Sequence, residues 1–279
     1  VTLALYSGAR LDFSALLWGQ IAITATQAMT HYSNDYFDLD ADLANTTPTR
    51  WSGGSRVLPA GSLSPAISLM AAYVLMLIAF VATLVLALFM RPNILTLLLT
   101  ALILAWEYSA PPLRLHSRGI GEAVVTLIVP GLTPLVGFYL QTGHLALLPV
   151  LAEFPLCCLQ FAMLLTIEFP DAVGDAAVGK RTLVVRLGEQ STAWLHTAVL
   201  AMGYLSLPVL IALGLPSLAA IAIVLSAPIA AWQTWRVHRH ALRPIDSRVW
   251  DSLAFWSVAL LIGTALAEMV AFLLLVGGV

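Results

Sequence analysis

The stretch "NDYFDLDAD", residues 34 to 42, gathers four aspartates directly after a long apolar run. On a helix Asn34, Asp38 and Asp42 stand at i, i+4 and i+8, and Asp35 lies three residues before Asp38, so these four share one broad face while Asp40 points elsewhere. Like charges stacked this way repel, and near a low-dielectric region they cost still more unless cations are bound between them. Ligands that offer only oxygen suit Mg²⁺ better than zinc, which favours His or Cys. A second cluster lies in "IEFPDAVGDAAVGKRT", 167 to 182, where Asp171 and Asp175 repeat the i, i+4 spacing and Glu168 stands one turn earlier. Each cluster is followed by a basic loop, "TRWSGGSR" after the first and "GKRT" after the second. Two carboxylate clusters with trailing Arg or Lys can hold a diphosphate through bridging Mg²⁺ ions, with the cationic side chains on the remaining oxygens. "SGGS", 52 to 55, reads as a flexible loop, with a phosphate cradle of backbone amides as the alternative.

The elements that carry these residues are membrane helices. Hydrophobic residues make up 60% of the chain and charged residues 10%, against about a quarter charged in a soluble domain; the mean hydropathy is +0.91. Apolar runs of the length that crosses hydrocarbon are expected near 13–34, 66–90, 92–107, 120–140, 146–169, 190–213, 215–235 and 249–275. The opening "VTLALYSGARLD" reads as the stub of one more helix, which makes the chain N-terminally truncated, and no basic segment marks a signal peptide. One membrane domain over residues 1–279 is expected. Arg50, Arg56, Arg114, Arg118, Lys180, Arg181, Arg186, Arg236, Arg239, Arg243 and Arg248 fall in loops on one side of this arrangement, and only Arg10 and Arg91 on the other. By the positive-inside rule the clusters should face the cytoplasm; the expected location is the plasma membrane, multi-pass, with the site loops on the cytoplasmic side. Cys157 and Cys158 are adjacent within a span and read as apolar filler. No nucleic-acid element and no obligate protein partner is evident.

At these residues the chain resembles the UbiA superfamily of intramembrane aromatic prenyltransferases. Its motif NDxxDxxxD is matched by Asn34, Asp35, Asp38 and Asp42, and its DxxxD by Asp171 and Asp175. "SRVLPAG", 55 to 61, stands where many members have an Arg-Pro-Leu-Pro-Ser-Gly-like run, and "YSAPPLRLHSRGIGE", 108 to 122, resembles the loop between the fourth and fifth helices. Many members carry YxxxK in that loop; here Pro112 stands four residues after Tyr108, and the next cation is Arg114. "GKRTLVVRLG", 179 to 188, resembles the branch that prenylates 1,4-dihydroxy-2-naphthoate in menaquinone synthesis. The resemblance implies an all-α bundle of nine transmembrane helices around a central cavity, the first largely missing here. It implies Mg²⁺-dependent transfer of a polyprenyl group from its diphosphate to an aromatic acceptor. Asn34, Asp35, Asp38, Asp42, Asp171 and Asp175 would be metal ligands, with Asp38, Asp171 and Asp175 catalytic. Asn34, Arg56, Tyr108, Arg114, Lys180 and Arg181 would bind substrate.

As the allylic C–O bond breaks, an aromatic face can stabilise the prenyl cation, and Tyr108, Tyr36 and Trp106 are candidates. Glu168 is a candidate orienting or basic group for the acceptor. Glu268 reads as a snorkelling residue or helix contact, and His31 as a packing residue. A secondary transporter would put its site near the midplane on broken helices, whereas these acids sit at helix ends. A phosphatidyltransferase would keep its acids in a single Gly-rich segment, whereas more than a hundred residues separate these clusters.

Overall fold

A computed structural model describes residues 1–45, 48–240 and 247–278; Arg243 lies outside the described residues. Among them every regular element is a helix. In chain order these are α1 (Thr2–Tyr6), α2 (Phe13–Phe37), α3 (Leu39–Ala44), α4 (Pro65–Phe89), α5 (Ile94–Ser109), α6 (Gly121–Thr126), α7 (Thr133–Thr142) and α8 (Leu147–Glu168). They are followed by α9 (Ala172–Ala177), α10 (Leu183–Leu187), α11 (Glu189–Leu205), α12 (Leu207–Ala212), α13 (Ser217–Val224), α14 (Ala227–His240) and α15 (Ser247–Gly277).

Among the described residues six helical segments are long and apolar enough to cross a membrane: Pro65–Phe89, Gly121–Thr142, Leu147–Ala177, Glu189–Ala212, Ser217–His240 and Arg248–Gly277. With α2 and the shorter α5 they occupy the eight stretches expected from sequence, and the chain is an integral, multi-pass membrane protein. Their outer faces carry Leu88, Phe89, Leu205 and Leu225, all exposed, as lipid contact requires. Inside, small residues let backbones approach. Ala15, Ala22 and Ala25 of α2 are buried with Ala72, Ala79 and Ala82 of α4 in two adjoining clusters.

The ends of these helices fix the geometry of the site. The Asp12 carboxylate accepts from Ala15 N–H (3.0 Å) to cap α2, and Gln141 ties Asp12 to the end of α7 by accepting its amide at 2.8 Å. Pro111 and Pro112 stop α5 just after Ser109, since proline has no N–H to extend the ladder. Between α6 and α7 the helix widens into a π turn, Leu127–Leu132, with Pro130 inside it. α3 packs against α9, and the contact depends on Gly174, where a Cβ would stand 3.1 Å from the Asn45 Cα. That contact brings the two acidic stretches together. Cys157 and Cys158 are unbridged. Glu268 is buried, with Oε1 lacking a hydrogen-bond partner, so it does not snorkel.

Candidate functional site

Helical bonding continues across the junction of α2 and α3, with Asp38 N–H donating to the Asn34 carbonyl (2.8 Å) and Asp42 N–H to the Asp38 carbonyl (2.9 Å). The Asn34, Asp38, Asp42 face therefore survives a break in the helix. It forms one wall of a cavity of about 280 Å³, whose other walls include Asp171, Asp175, Glu168, Lys180 and Tyr108. Leu164 and Ile167 of α8 supply an apolar wall.

Lys180 joins the two clusters. Its ammonium donates to Asp38 Oδ2 at 2.7 Å and lies 3.4 Å from Asp175 Oδ1. Burial alone would raise the Asp38 carboxyl, but the His116 hydrogen bond and the Lys180 charge overcome it and hold the group well below the usual carboxylate range. Burial likewise opposes the Lys180 charge, and the flanking Asp38 and Asp175 outweigh it, so the ammonium is held above its usual value. Asp42 is the converse. Its burial, with Asp38 and Asp35 alongside, pushes it up to about 7. One cation thus serves several acids, and Asp42, facing the negative charge of its neighbours, holds its proton more tightly.

The "SGGS" loop closes over both clusters. Gly53 N–H donates to Asp171 Oδ2 at 3.0 Å, and Asn45 Nδ2 donates to Asp171 Oδ1 at 2.7 Å. Ser55 donates to Asp35 through its hydroxyl (2.5 Å) and its amide (3.4 Å). Gly54 has φ +70, and a Cβ there would fall 1.9 Å from Asp42 Oδ2, so only glycine lets the loop lie on that carboxylate. The Gly53 and Ser55 amides meet carboxylates, which corrects the alternative of a phosphate cradle at those two donors.

The match that settles the family runs over residues 1–259, to a model described as the UbiA prenyltransferase family. The chain belongs to the UbiA prenyltransferase family. A curated relative, the digeranylgeranylglyceryl phosphate synthase of Natronomonas pharaonis, is 31% identical over 183 residues, 65% of this chain and 60% of that protein. The match thus spans less than two thirds of that relative's length. Solved UbiA structures share the fold. The apo UbiA homolog from Aeropyrum pernix K1 aligns with TM-score 0.70 at 16% identity, over 96% of this chain and 93% of that one. The UbiA homolog from Archaeoglobus fulgidus bound to GPP and Mg²⁺ aligns with TM-score 0.60 at 13% identity, over 96% and 93%.

Of the residues singled out from the UbiA motifs, Asn34, Asp38, Asp42, Tyr108, Asp171, Asp175 and Lys180 line one cavity. Asp35 does not; it is turned to Ser55. Arg56, Arg114 and Arg181 are also absent from the lining. Arg56 (φ 62) and Arg114 (φ 46) adopt left-handed backbone, and their guanidinium groups donate to the Asp42 and Phe37 carbonyls. These two arginines brace the backbone within the first motif, one at its middle and one at its last residue. Arg181, whose amide donates to the Ser117 carbonyl at 3.1 Å, is exposed. Trp106 packs between Phe37 and Tyr73 in an apolar groove outside the cavity, and Tyr36 and His31 are also absent from the lining, which leaves Tyr108 as the candidate aromatic face.

Sequence reasoning missed His116. It is 3% exposed, its Nδ1 donates to the Tyr108 carbonyl (2.6 Å), and its Nε2 meets Asp38 Oδ1 at 2.8 Å. Its neighbour Gly121 is required, since a Cβ there would lie 2.7 Å from the His116 Cα. Ser109, which accepts from Asn34 Nδ2 at 3.0 Å, and Asn45 were missed as well, while Arg50 of the basic loop, not singled out as a site residue, lines the cavity. The available signal was the position of His116 and Ser109 inside the motif-like loop.

The donor set fits Mg²⁺. Among the described residues no three His, Cys, Asp or Glu side chains are already grouped to hold a metal. Mg²⁺ is usually bound through one or two carboxylates together with substrate phosphates and waters, so a pre-formed cage is not required. The motif carboxylates of Asp38, Asp42, Asp171 and Asp175, lining one cavity together with the Asn34 side chain, meet that description.

Proposed function

We propose that the chain catalyses Mg²⁺-dependent transfer of a polyprenyl group from its diphosphate to an acceptor at the cytoplasmic face of the plasma membrane. The observation that carries this is the convergence of the two acidic motifs, with Lys180 between them, on one cavity. The solved Archaeoglobus fulgidus relative bound to GPP and Mg²⁺ supports the same substrate class.

Asn34, Asp38, Asp42, Asp171 and Asp175 would hold Mg²⁺, which when bound supplies Lewis-acid stabilisation of the charge growing on the departing diphosphate. Lys180 contributes a fixed positive charge to the same oxygens. His116 and Asn34 set the Asp38 carboxylate, and Asn45 and the Gly53 amide set Asp171. Pre-set groups of this kind need little reorganisation as charge develops. The Tyr108 ring, tilted on His116 at 5.4 Å, offers its face to the prenyl cation. Leu164 and Ile167 keep the first prenyl unit out of water.

For the acceptor we infer an aromatic hydroxyl compound, 1,4-dihydroxy-2-naphthoate, from the likeness of "GKRTLVVRLG" to the menaquinone branch. A second reading is favoured by the 31% identical relative, a digeranylgeranylglyceryl phosphate synthase: a prenylglyceryl phosphate acceptor. Membranes holding the protein, labelled geranylgeranyl diphosphate and a panel of both acceptor types separate these readings. Product with the naphthoate alone supports the first, and product with the glyceryl phosphate alone replaces it with the second.

A further inference from the structure

Most of the site's acids have assigned partners, but Glu168 does not. It ends α8, lines the cavity one turn before Asp171, and its Oε2 is buried with no hydrogen-bond partner. Glu122, in the first turn of α6, is 1% exposed. Its Oε1 accepts from Leu183 N–H at 2.8 Å, and its Oε2 likewise has no donor. The two carboxyl groups stand close enough to interact electrostatically. Both are acceptor-only when ionised, so each unpartnered Oε2 needs a donor that the surrounding side chains do not supply. Thr182 lines the same cavity with a third unpartnered polar atom, its buried Oγ1.

Buried polar atoms without partners are rare in folded proteins and call for an explanation. Three of them, two on cavity-lining residues, mark a wall built for a polar group that arrives with a ligand. The diphosphate already has the motif carboxylates with their Mg²⁺ and the Lys180 ammonium to meet it, and Glu168 lies outside both motifs. The other reactant is a hydroxyl compound with a proton to lose.

We propose that Glu168 is the proton acceptor for the acceptor's hydroxyl, and that Glu122 positions it; this rests on the prenyl-transfer reading above. The acceptor O–H bond breaks and its proton passes to the Glu168 carboxylate. The freed electron pair forms the new bond to C1 of the prenyl group, directly from oxygen or through the ring of a hydroxyarene; in the second case the attacked ring carbon then sheds its own substituent as H⁺ or CO₂, the pair left behind restores the aromatic ring, and the oxygen takes up a proton. The C1–O bond breaks and its pair leaves on the diphosphate. Glu168 then releases the proton to solvent when the products depart. The groups around Glu168 are Glu122 from α6, Tyr108 from α5, Asp175 from α9 and Lys180 from the loop before α10.

The test compares wild type, Glu168→Gln, Glu168→Asp and Glu122→Gln as full chains in membranes. Transfer is followed against pH, and Mg²⁺ with inorganic pyrophosphate is scored separately by thermal shift. Loss of a general base typically costs about 10²- to 10⁴-fold in rate, so Glu168→Gln should lose kcat on that scale. It should also lose the acidic limb of the pH–rate profile while keeping the wild-type pyrophosphate shift. Glu168→Asp should recover part of the rate, and Glu122→Gln should move the acidic limb with a smaller loss of kcat. Wild-type kcat and profile in Glu168→Gln would overturn the inference, as would loss of the pyrophosphate shift in both Glu168 variants, which marks a structural role. If wild type transfers nothing to any acceptor, the prenyl-transfer reading itself falls and takes this one with it.

Discussion

Replacing Lys180 with Met keeps the length and apolar stem of the side chain and removes only its charge. In the wild type the Lys180 side chain is 15% exposed, and those of Asp38 and Asp175 are 11% and 7% exposed, so the ion pairs are largely shielded from water. Breaking a buried pair by removing one partner costs about 3 to 5 kcal/mol, because a charge is left without compensation. At roughly 2 to 4 °C per kcal/mol for a large domain, the lower figure corresponds to a fall in Tm on the order of 10 °C in metal-free protein. Asp38 keeps His116 and Asn34, which places the effect toward that lower end. Mg²⁺ alone should then stabilise Lys180→Met more than wild type, since the divalent ion no longer competes with the ammonium for Asp38 and Asp175. Thermal unfolding in detergent, with chelator and with a Mg²⁺ series, measures both effects. An unchanged Tm in chelator, or a larger Mg²⁺ shift in wild type, would refute the idea that Lys180 neutralises both clusters.

The remaining predictions concern the first motif and its loop. Asp42 is raised to about 7 from an ordinary value of 3.8, so the folded state binds its proton more tightly than the unfolded state, and its ionisation opposes folding. Metal-free protein should therefore lose stability as pH rises from about 4 to 7. Asp42→Asn should flatten that slope in a chelator titration, and an unchanged slope would count against the assignment. Gly54→Ala puts a Cβ onto the Asp42 carboxylate at a positive φ and should cost at least about 1 kcal/mol with loss of Mg²⁺-dependent activity, read by Tm and turnover. Arg181→Ala should stay within about 0.5 kcal/mol of wild type with KM for the prenyl diphosphate unchanged; a large rise in KM would return Arg181 to the site.

The acidic motifs are legible in the sequence because carboxylates at i, i+4 stand out in a chain with 10% charged residues, and their spacing persists through the α2–α3 junction. The helices are legible for the same compositional reason. Their termini are less so, since the break at Asp38 leaves the i, i+4 pattern intact. Which member of "KR" at 180 and 181 faces the cavity is not written in the pattern, because adjacent residues diverge in direction and only the packed loop decides. Arg56 and Arg114 carry the right charge, but their left-handed backbone sends the guanidinium groups to carbonyls. His116 reaches Asp38 only because the turn after α5 folds back beneath it, across 78 residues of sequence.

The most direct test of the central claim is a transfer assay on membranes holding the full-length protein, with labelled prenyl diphosphate, the acceptor panel, and Mg²⁺ present or chelated. The account predicts a prenylated product that disappears with chelator and in both Asp38→Ala and Asp171→Ala. Full activity in either variant, or no Mg²⁺-dependent product with any acceptor, would contradict it.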